Sequence, residues 1–152
     1  MFYSSAFCVV ILISVASSVT RQQSAPLTSS DLVIAGLQYG SDTAAVRAQL
    51  GLPRRATVRD WKYSGLGVQL DSGHVTMLHL TSSRWQTQRG IRVGSSLAAV
   101  HHAYGQPSWS NSEQVGYILQ PDTSMLHRGL SFEITKGRVS YILSGIVSVT
   151  VH

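Results

Sequence analysis

The stretch GLQYGSDTAAVRAQLGLP, residues 36–53, recurs as GIRVGSSLAAVHHAYGQP, residues 90–107. The positions that are identical in both stretches hold Gly, Gly, Ser, Ala, Ala, Val, Gly and Pro. Self-similarity at a fixed period is typical of folds built from copies of one unit. We therefore predict two related units, about residues 36–83 and 90–145, and we expect the shared residues to determine architecture rather than a reaction.

Each stretch has the start and stop signals of one short helix. Ser41 and Ser95 stand where an N-cap hydroxyl would accept a hydrogen bond from a free backbone amide. Gly51 and Gly105 suit the left-handed residue that ends a helix, and a proline follows two residues later in each stretch. These signals predict helices over residues 42–50 and 96–104.

Segments with strand-like alternation follow each predicted helix. They are residues 58–63, 66–70 and 74–80 after the first helix, and residues 114–119, 129–134 and 138–143 after the second. Turn signals with glycine separate the last two segments of each set. Residues 32–37 are expected to add an edge strand, and residues 145–151 a last strand.

The predicted fold class is α+β, with two tandem units that each consist of a short helix followed by an antiparallel three-stranded meander. The helices are expected to pack on one face of the sheet, because helices of under three turns are not stable alone in water. A unit of this size would bury little apolar surface, so the two halves should share one core or lie side by side on one continuous sheet. The 152 residues fit a single domain, assigned here to residues 32–152.

The first residues are typical of an export signal. Residues 6–16 read AFCVVILISVA, an uncharged apolar run that is too short to span a bilayer. Small residues at Ala16 and Ser18 predict a signal peptide over residues 1–18, followed by a flexible tether over residues 19–31. No Lys or Arg precedes the run, so an incorrect start and a retained N-terminal membrane anchor remain alternatives. Cys8, the only cysteine, lies inside the run, so the mature chain would have no disulfide.

The order of these signals resembles a known group of small exported domains. The features are Gly-x-x-x-Gly-Ser, a short helix, Gly-x-Pro, a Trp-x-Tyr strand at Trp61 and Tyr63, and a glycine-turned hairpin. Over residues 32–143 the chain is similar to the SmpA/OmlA (BamE-like) and β-lactamase-inhibitor-protein-like group. The resemblance implies a binding or scaffold protein of the cell envelope or medium without catalytic residues. It carries over no functional residue, and the missing lipobox departs from its lipoprotein branch.

The polar residues do not form a pattern that predicts catalysis, a metal or a cofactor. The histidine spacing predicts no shared metal site, because His101 and His102 point about 100° apart on a helix. No Gly-x-Ser-x-Gly elbow and no Gly-Lys-Ser/Thr phosphate loop occurs. A small hydrolase that uses Asp60 or Glu133 with a histidine in a concave pocket is kept as a minor alternative.

The formal net charge of +5 points to an anionic partner, and two arginine clusters contribute to it. Guanidinium groups bind carboxylate or phosphate in bidentate fashion, and neighbouring aromatic rings add contact area. A solvated basic face and core packing of Trp61 and Tyr63 are the competing interpretations. The candidate partner-binding residues are Arg54, Arg55, Arg59, Trp61, Tyr63, Arg84, Trp85, Arg89 and Tyr117.

The predicted function is an exported, non-enzymatic binding or scaffold protein. It would contact another envelope or extracellular protein through its sheet face or its arginine-rich edge. The alternative is a structural protein that associates with anionic cell-wall or lipid surfaces through its basic patches. Nucleic acid is not expected as a partner of an exported protein, and the sequence leaves the oligomeric state open.

Overall fold

The computed structural model describes residues 25–119 and 126–147. A 3-10 turn at Ser29–Leu32 precedes the first helix. The helices and strands in these ranges are α1 (Thr43–Leu50), β1 (Arg55–Ala56), β2 (Asp60–Tyr63), β3 (Leu66–Asp71), β4 (His74–Leu80), α2 (Leu97–Tyr104), β5 (Trp109–Ser110), β6 (Gln114–Ile118), β7 (His127–Thr135) and β8 (Arg138–Val147). Neither of these two helices is long and apolar enough to cross a membrane.

The described strands form one antiparallel sheet in the order β1-β2-β3-β4-β8-β7-β6-β5. The prediction of two tandem units, each a helix with a three-stranded meander, is therefore wrong. Residues 77–80 of β4 pair with residues 142–145 of β8, and this pairing joins all the strands into one sheet. The two-residue strands β1 and β5 extend its ends, and they are too short to show any alternation in the sequence.

The hydrophobic core covers one face of this sheet. On β3, Leu66, Val68 and Leu70 are buried in the core, and Gly67 and Gln69 alternate with them on the other face. Val46 of α1 and Val100 of α2 are fully buried in the same cluster. Residues from both helices and from strands along the whole sheet thus share one continuous core.

The helices begin one residue later than predicted. The N-caps are Asp42 and Ser96, whose side chains accept hydrogen bonds from Ala45 N at 2.7 Å and Ala99 N at 3.1 Å. The predicted caps, Ser41 and Ser95, accept instead from backbone amides of the preceding turns, those of Gln38 and Arg92. Gly51 and Gly105 end the helices with positive φ, as expected.

The segments outside the main sheet also differ from the predictions. Residues 32–37 form a turn closed by a bridge between Ile34 and Leu37 rather than an edge strand. Residues 145–147 continue β8 instead of starting a new strand. Residues 25–31, expected in the flexible tether, pack on the domain through Leu27 and the 3-10 turn. The predicted signal peptide lies outside the described residues.

Candidate binding surface

The face of the sheet opposite the core carries side chains from every strand. We call it the open face and define it by two cross-strand rows of paired residues. One row crosses all the strands of the sheet, and the other runs beside it from β2 to β6. The first row is Arg55, Lys62, Gly67, His79, Leu143, Ser131, Gly116 and Trp109, and the second is Asp60, Gln69, Met77, Gly145, Gly129 and Ile118.

The open face is accessible where the core face is not. Within the two rows the buried positions are all glycines, and every larger side chain is half-buried or exposed. Met77, Leu143 and Ile118 are half-buried aliphatic residues on three different strands. A sheet face of a soluble protein that lacks a covering layer is usually more polar than this. The open face is therefore the best candidate for a contact surface among the described residues.

Two of the glycines allow neighbouring strands to approach closely. A Cβ on Gly145 would meet the carbonyl oxygen of Thr76, and a Cβ on Gly129 would meet that of Tyr117. Gly145 also has a φ of 136°, which side chains rarely adopt. These positions are glycine because of the backbone geometry of the sheet.

His79 and Tyr141 form a hydrogen-bonded pair near the middle of the open face. His79 Nδ1 contacts the Tyr141 hydroxyl, and the two ring centroids are 5.7 Å apart. Burial lowers the pKa of His79, and the positive charge of Lys62 lowers it further against the opposing effect of Asp60. Burial also raises the pKa of Tyr141. Both groups are thus neutral at pH 7, and they offer a partner a polar site without a full charge.

Two cations, with the acid Asp60 beside them, lie at the β1–β2 end of the open face. Arg55 and Lys62 lie directly opposite each other in the register and are both exposed. Like charges at opposed cross-strand positions destabilise a sheet. An anionic group bound at this end would relieve that repulsion.

The aromatic residues proposed as contacts on β2 and β6 belong to the core. Trp61 is only 6% exposed, and its indole donates to the Thr57 carbonyl while the Arg47 guanidinium lies 5.1 Å from its ring centre. Tyr63 packs against the core with its hydroxyl bound to the Gly51 carbonyl, and Tyr117 is buried. The contact surface proposed for Trp61, Tyr63 and Tyr117 is therefore wrong, because their strand faces point to the core.

Arg89 and Trp85 have structural roles. The Arg89 guanidinium binds both carboxylate oxygens of Asp31 at 2.7 Å, a pair that is mostly buried. It also donates to the carbonyl oxygens of Ala25, Pro26 and Ala103, each at 2.9 Å. Trp85 packs against the core and donates to the Ser64 carbonyl at 2.8 Å. Neither residue is available as a partner contact.

Four of the predicted contact residues remain accessible. Arg54, Arg55, Arg59 and Arg84 are exposed, and among the described residues none of them forms an ion pair. Arg55 belongs to the open face, Arg54 precedes β1, Arg59 lies between β1 and β2, and Arg84 lies after β4 near the Trp85 ring.

Sequence reasoning missed the residues at the centre of the open face, namely His79, Tyr141, Met77, Leu143, Ile118 and Trp109. One signal could have found Met77 and His79. They alternate along β4 with Leu78 and Leu80, and two leucines two residues apart favour the core face. The remaining positions depend on which distant strands pair, and a local pattern does not carry that information.

The geometry argues against a shared site for the two strand carboxylates. Asp60 lies on β2 and Glu133 on β7, and three strands separate them in the sheet. Four strand spacings place their backbones on the order of 19 Å apart, too far for a catalytic pair. Within residues 25–119 and 126–147 no three His, Cys, Asp or Glu residues are grouped as metal ligands. A cavity of about 480 Å³ is lined by Glu113, Gln114, Glu133, Ile134, Thr135 and Lys136, without a histidine.

Comparison with known proteins assigns no family. No family model matches the chain, and no curated protein matches it. Among solved structures, an extracellular protein with an SCP domain from Bacillus anthracis str. Ames is similar at 11% identity and a TM-score of 0.44. The match covers 82% of this chain and 49% of that one, so this chain spans about half the length of its neighbour. The resemblance to the SmpA/OmlA and β-lactamase-inhibitor-like group finds no support in these comparisons.

Proposed function

We propose that this chain is an exported, non-enzymatic binding protein of the cell envelope or extracellular space, which holds a protein partner on the open face. The observation that carries the proposal is the pair of cross-strand rows, which together present side chains from every strand on one surface. Rigid strands hold these groups in place before a partner arrives, which lowers the entropy cost of binding.

The chemistry of the open face suits a protein more than a small ligand. It offers half-buried aliphatic residues at its centre, a neutral His–Tyr pair and cations at one end. Protein interfaces combine an apolar centre with a polar rim in this way. We expect the partner to place an acidic group beside Arg55 and Lys62, and apolar groups over Met77 and Leu143.

Capture from an envelope or culture fraction tests the proposal. The immobilised full chain should retain a partner, and Leu143→Asp and Ser131→Arg should each reduce its retention at least tenfold. These variants place charge or bulk on adjacent strands of the open face. Ala48→Asp, at an exposed position of α1 away from the open face, should retain the partner as the unaltered chain does.

The same experiment also distinguishes binding of a protein partner from binding to an anionic surface. Retention that is unaffected by both open-face variants, but lost at high salt, would contradict the proposal and favour binding to an anionic surface. All variants should first show the cooperative unfolding of the unaltered chain. If Leu143→Asp unfolds, Ser131→Arg decides alone, because Ser131 is only half-buried and its larger side chain can extend into solvent.

Export is part of the proposal and has its own test. The apolar run at residues 6–16 supports a cleaved signal. The mass of the protein recovered outside the cytoplasm should correspond to a chain that begins after Ser18. A recovered chain that begins at Met1 would instead support the retained anchor.

A further inference from the structure

The segments on either side of the terminal strand β1 carry an unusual set of exposed residues. Leu52 is 82% exposed and Val58 is 92% exposed, one on each side of β1. Arg54 and Arg59 stand beside them and are also exposed. We call these four residues the β1 rim. Aliphatic residues alternating with cations on an exposed strip are a feature that folding does not explain.

The β5 edge, at the opposite end of the sheet, has the same backbone geometry and can be compared with the β1 edge. Strand β5 is built by the same hydrogen bonds as β1. Arg54 N donates to Lys62 O at 2.8 Å, as Ser108 N does to Gly116 O. Thr57 N donates to Asp60 O at 2.8 Å, and Asn111 N donates to Gln114 O at 2.9 Å.

The side chains at the equivalent positions of the β5 edge are polar and include no cation. Leu52, Arg54, Val58 and Arg59 correspond there to Gln106, Ser108, Ser112 and Glu113. The same backbone therefore forms without exposed aliphatic residues or arginines. The fold therefore does not require the aliphatic residues and arginines of the β1 rim.

No described acid neutralises the rim. The ion pair found among the described residues is Asp31 with Arg89, on another part of the molecule. Asp60 follows Arg59 in sequence but faces the open face beside Gln69. The two guanidinium groups of the rim can thus form bidentate bonds to an external anion.

We infer that the β1 rim docks on an anionic lipid surface, with arginines on headgroup phosphates and Leu52 and Val58 entering the boundary of the acyl chains. Membrane-surface segments combine cations with protruding apolar side chains in this way. A soluble polyanion would attract the arginines but would not account for two aliphatic side chains more than 80% exposed. A rim of four side chains is small beside the roughly 800 Å² per partner of a stable protein interface, which favours a lipid surface over a protein partner.

Vesicle sedimentation of the full chain tests this inference. Vesicles of phosphatidylglycerol and phosphatidylcholine are compared with vesicles of phosphatidylcholine alone, and the measured quantity is the ratio of the two partition coefficients. All variants are compared with the same N-terminus, with or without the signal, so any contribution of the residues before the domain is common to all of them. The unaltered chain should favour the anionic vesicles, and Arg59→Glu should lower the ratio by about fivefold or more.

Matched variants separate the rim from net charge. Arg84→Glu changes the charge equally at an exposed position outside the rim, in the segment after β4, and should leave the ratio within about twofold. Val58→Ser keeps the charge and should lower partition onto anionic vesicles by roughly threefold. Both rim variants introduce the residue that the β5 edge already carries, so the fold should tolerate them.

Three results would overturn the inference. The first is a ratio near one for the unaltered chain. The second is an equal effect of Arg59→Glu and Arg84→Glu, which would mean that net charge alone attracts the chain. The third is an effect of Arg59→Glu without any effect of Val58→Ser, which would indicate a soluble polyanion or an acidic protein. None of these results depends on the open face, so the proposed protein partner is tested separately.

Discussion

Arg89 uses every donor of its guanidinium group to join three parts of the chain. It links Asp31 in the 3-10 turn, the carbonyls of residues 25 and 26, and the end of α2, and it lies 4.9 Å from the ring centre of Tyr104. Lysine has fewer donors and no planar fork to replace these bonds. We expect Arg89→Lys to lower the free energy of unfolding by on the order of 3 kcal/mol.

Denaturant unfolding followed by tryptophan fluorescence measures this loss. Arg92→Lys is the matched control, because Arg92 is exposed and donates from its side chain to Gln86 at 2.6 Å. Loss of this exposed hydrogen bond in Arg92→Lys should lower the free energy of unfolding by under about 1 kcal/mol. Equal effects of the two substitutions would mean that the Arg89 contacts do not stabilise the fold.

The Asp31 carboxyl makes stability depend on acid pH. Burial raises its pKa, but hydrogen bonds from Arg89 and Thr28 outweigh this effect, so the pKa in the folded state lies below the usual value. The stabilisation is then fully present above the unfolded-state pKa of about 3.9 and is lost as pH falls through the folded-state pKa. Unfolding measured between neutral and strongly acid pH should show this loss. Asp31→Asn should be less stable at neutral pH and should lack this acid-dependent component.

At the scale of single elements, the packing of β5 on β6 depends on one glycine. A Cβ on Gly116 would meet the indole ring of Trp109, which lies over it on the open face. Gly116→Ala should displace this ring and lower the free energy of unfolding by about 1–3 kcal/mol. Gly67→Ala is the control in the same cross-strand row, since its nearest neighbour is the mobile Lys62 Nζ at 3.2 Å. Tryptophan fluorescence of the folded state should change in the first variant and not in the second.

The elements themselves were largely predictable. The helices lie within one residue of the expected bounds, and β4 spans the expected residues, because capping glycines and alternation are local signals. Strands β1 and β5 were missed, since two residues cannot show a period. Residues 145–151 were predicted to form a separate last strand, but β8 continues through Gly145 with a positive φ.

The candidate surface was less predictable than the elements. Alternation showed that Trp61 and Tyr63 share a face, but it did not show which face meets the core. That depends on how the sheet is assembled, above all on the pairing of β4 with β8, a contact between residues far apart in sequence. Arg54, Arg55, Arg59 and Arg84 are exposed, and their role as partner contacts stays a prediction.

At the scale of the whole molecule, the β4–β8 pairing and the shared core should make unfolding a single event. Gly145 lies in that pairing, where a Cβ would meet the Thr76 carbonyl and would lie 2.9 Å from Met77 Cα. Backbone atoms cannot move aside as a side chain can. Gly145→Ala should therefore lower the free energy of unfolding by more than Gly137→Ala, whose Cβ would meet nothing within 4 Å and whose positive φ costs about 1–2 kcal/mol.

Hydrogen exchange shows whether the stability lost in Gly145→Ala is lost throughout the sheet or only near β8. If the sheet unfolds as one unit, Gly145→Ala should reduce the protection of β3 and of β6 by the same factor, although β3 lies two strands from β8 on one side and β6 two strands away on the other. Loss of protection confined to β6 and β7, with β2 and β3 unchanged, would mean that the two ends of the sheet unfold independently. In that case the open face would not be one rigid surface, and a partner spanning Arg55 to Trp109 would have to order it on binding.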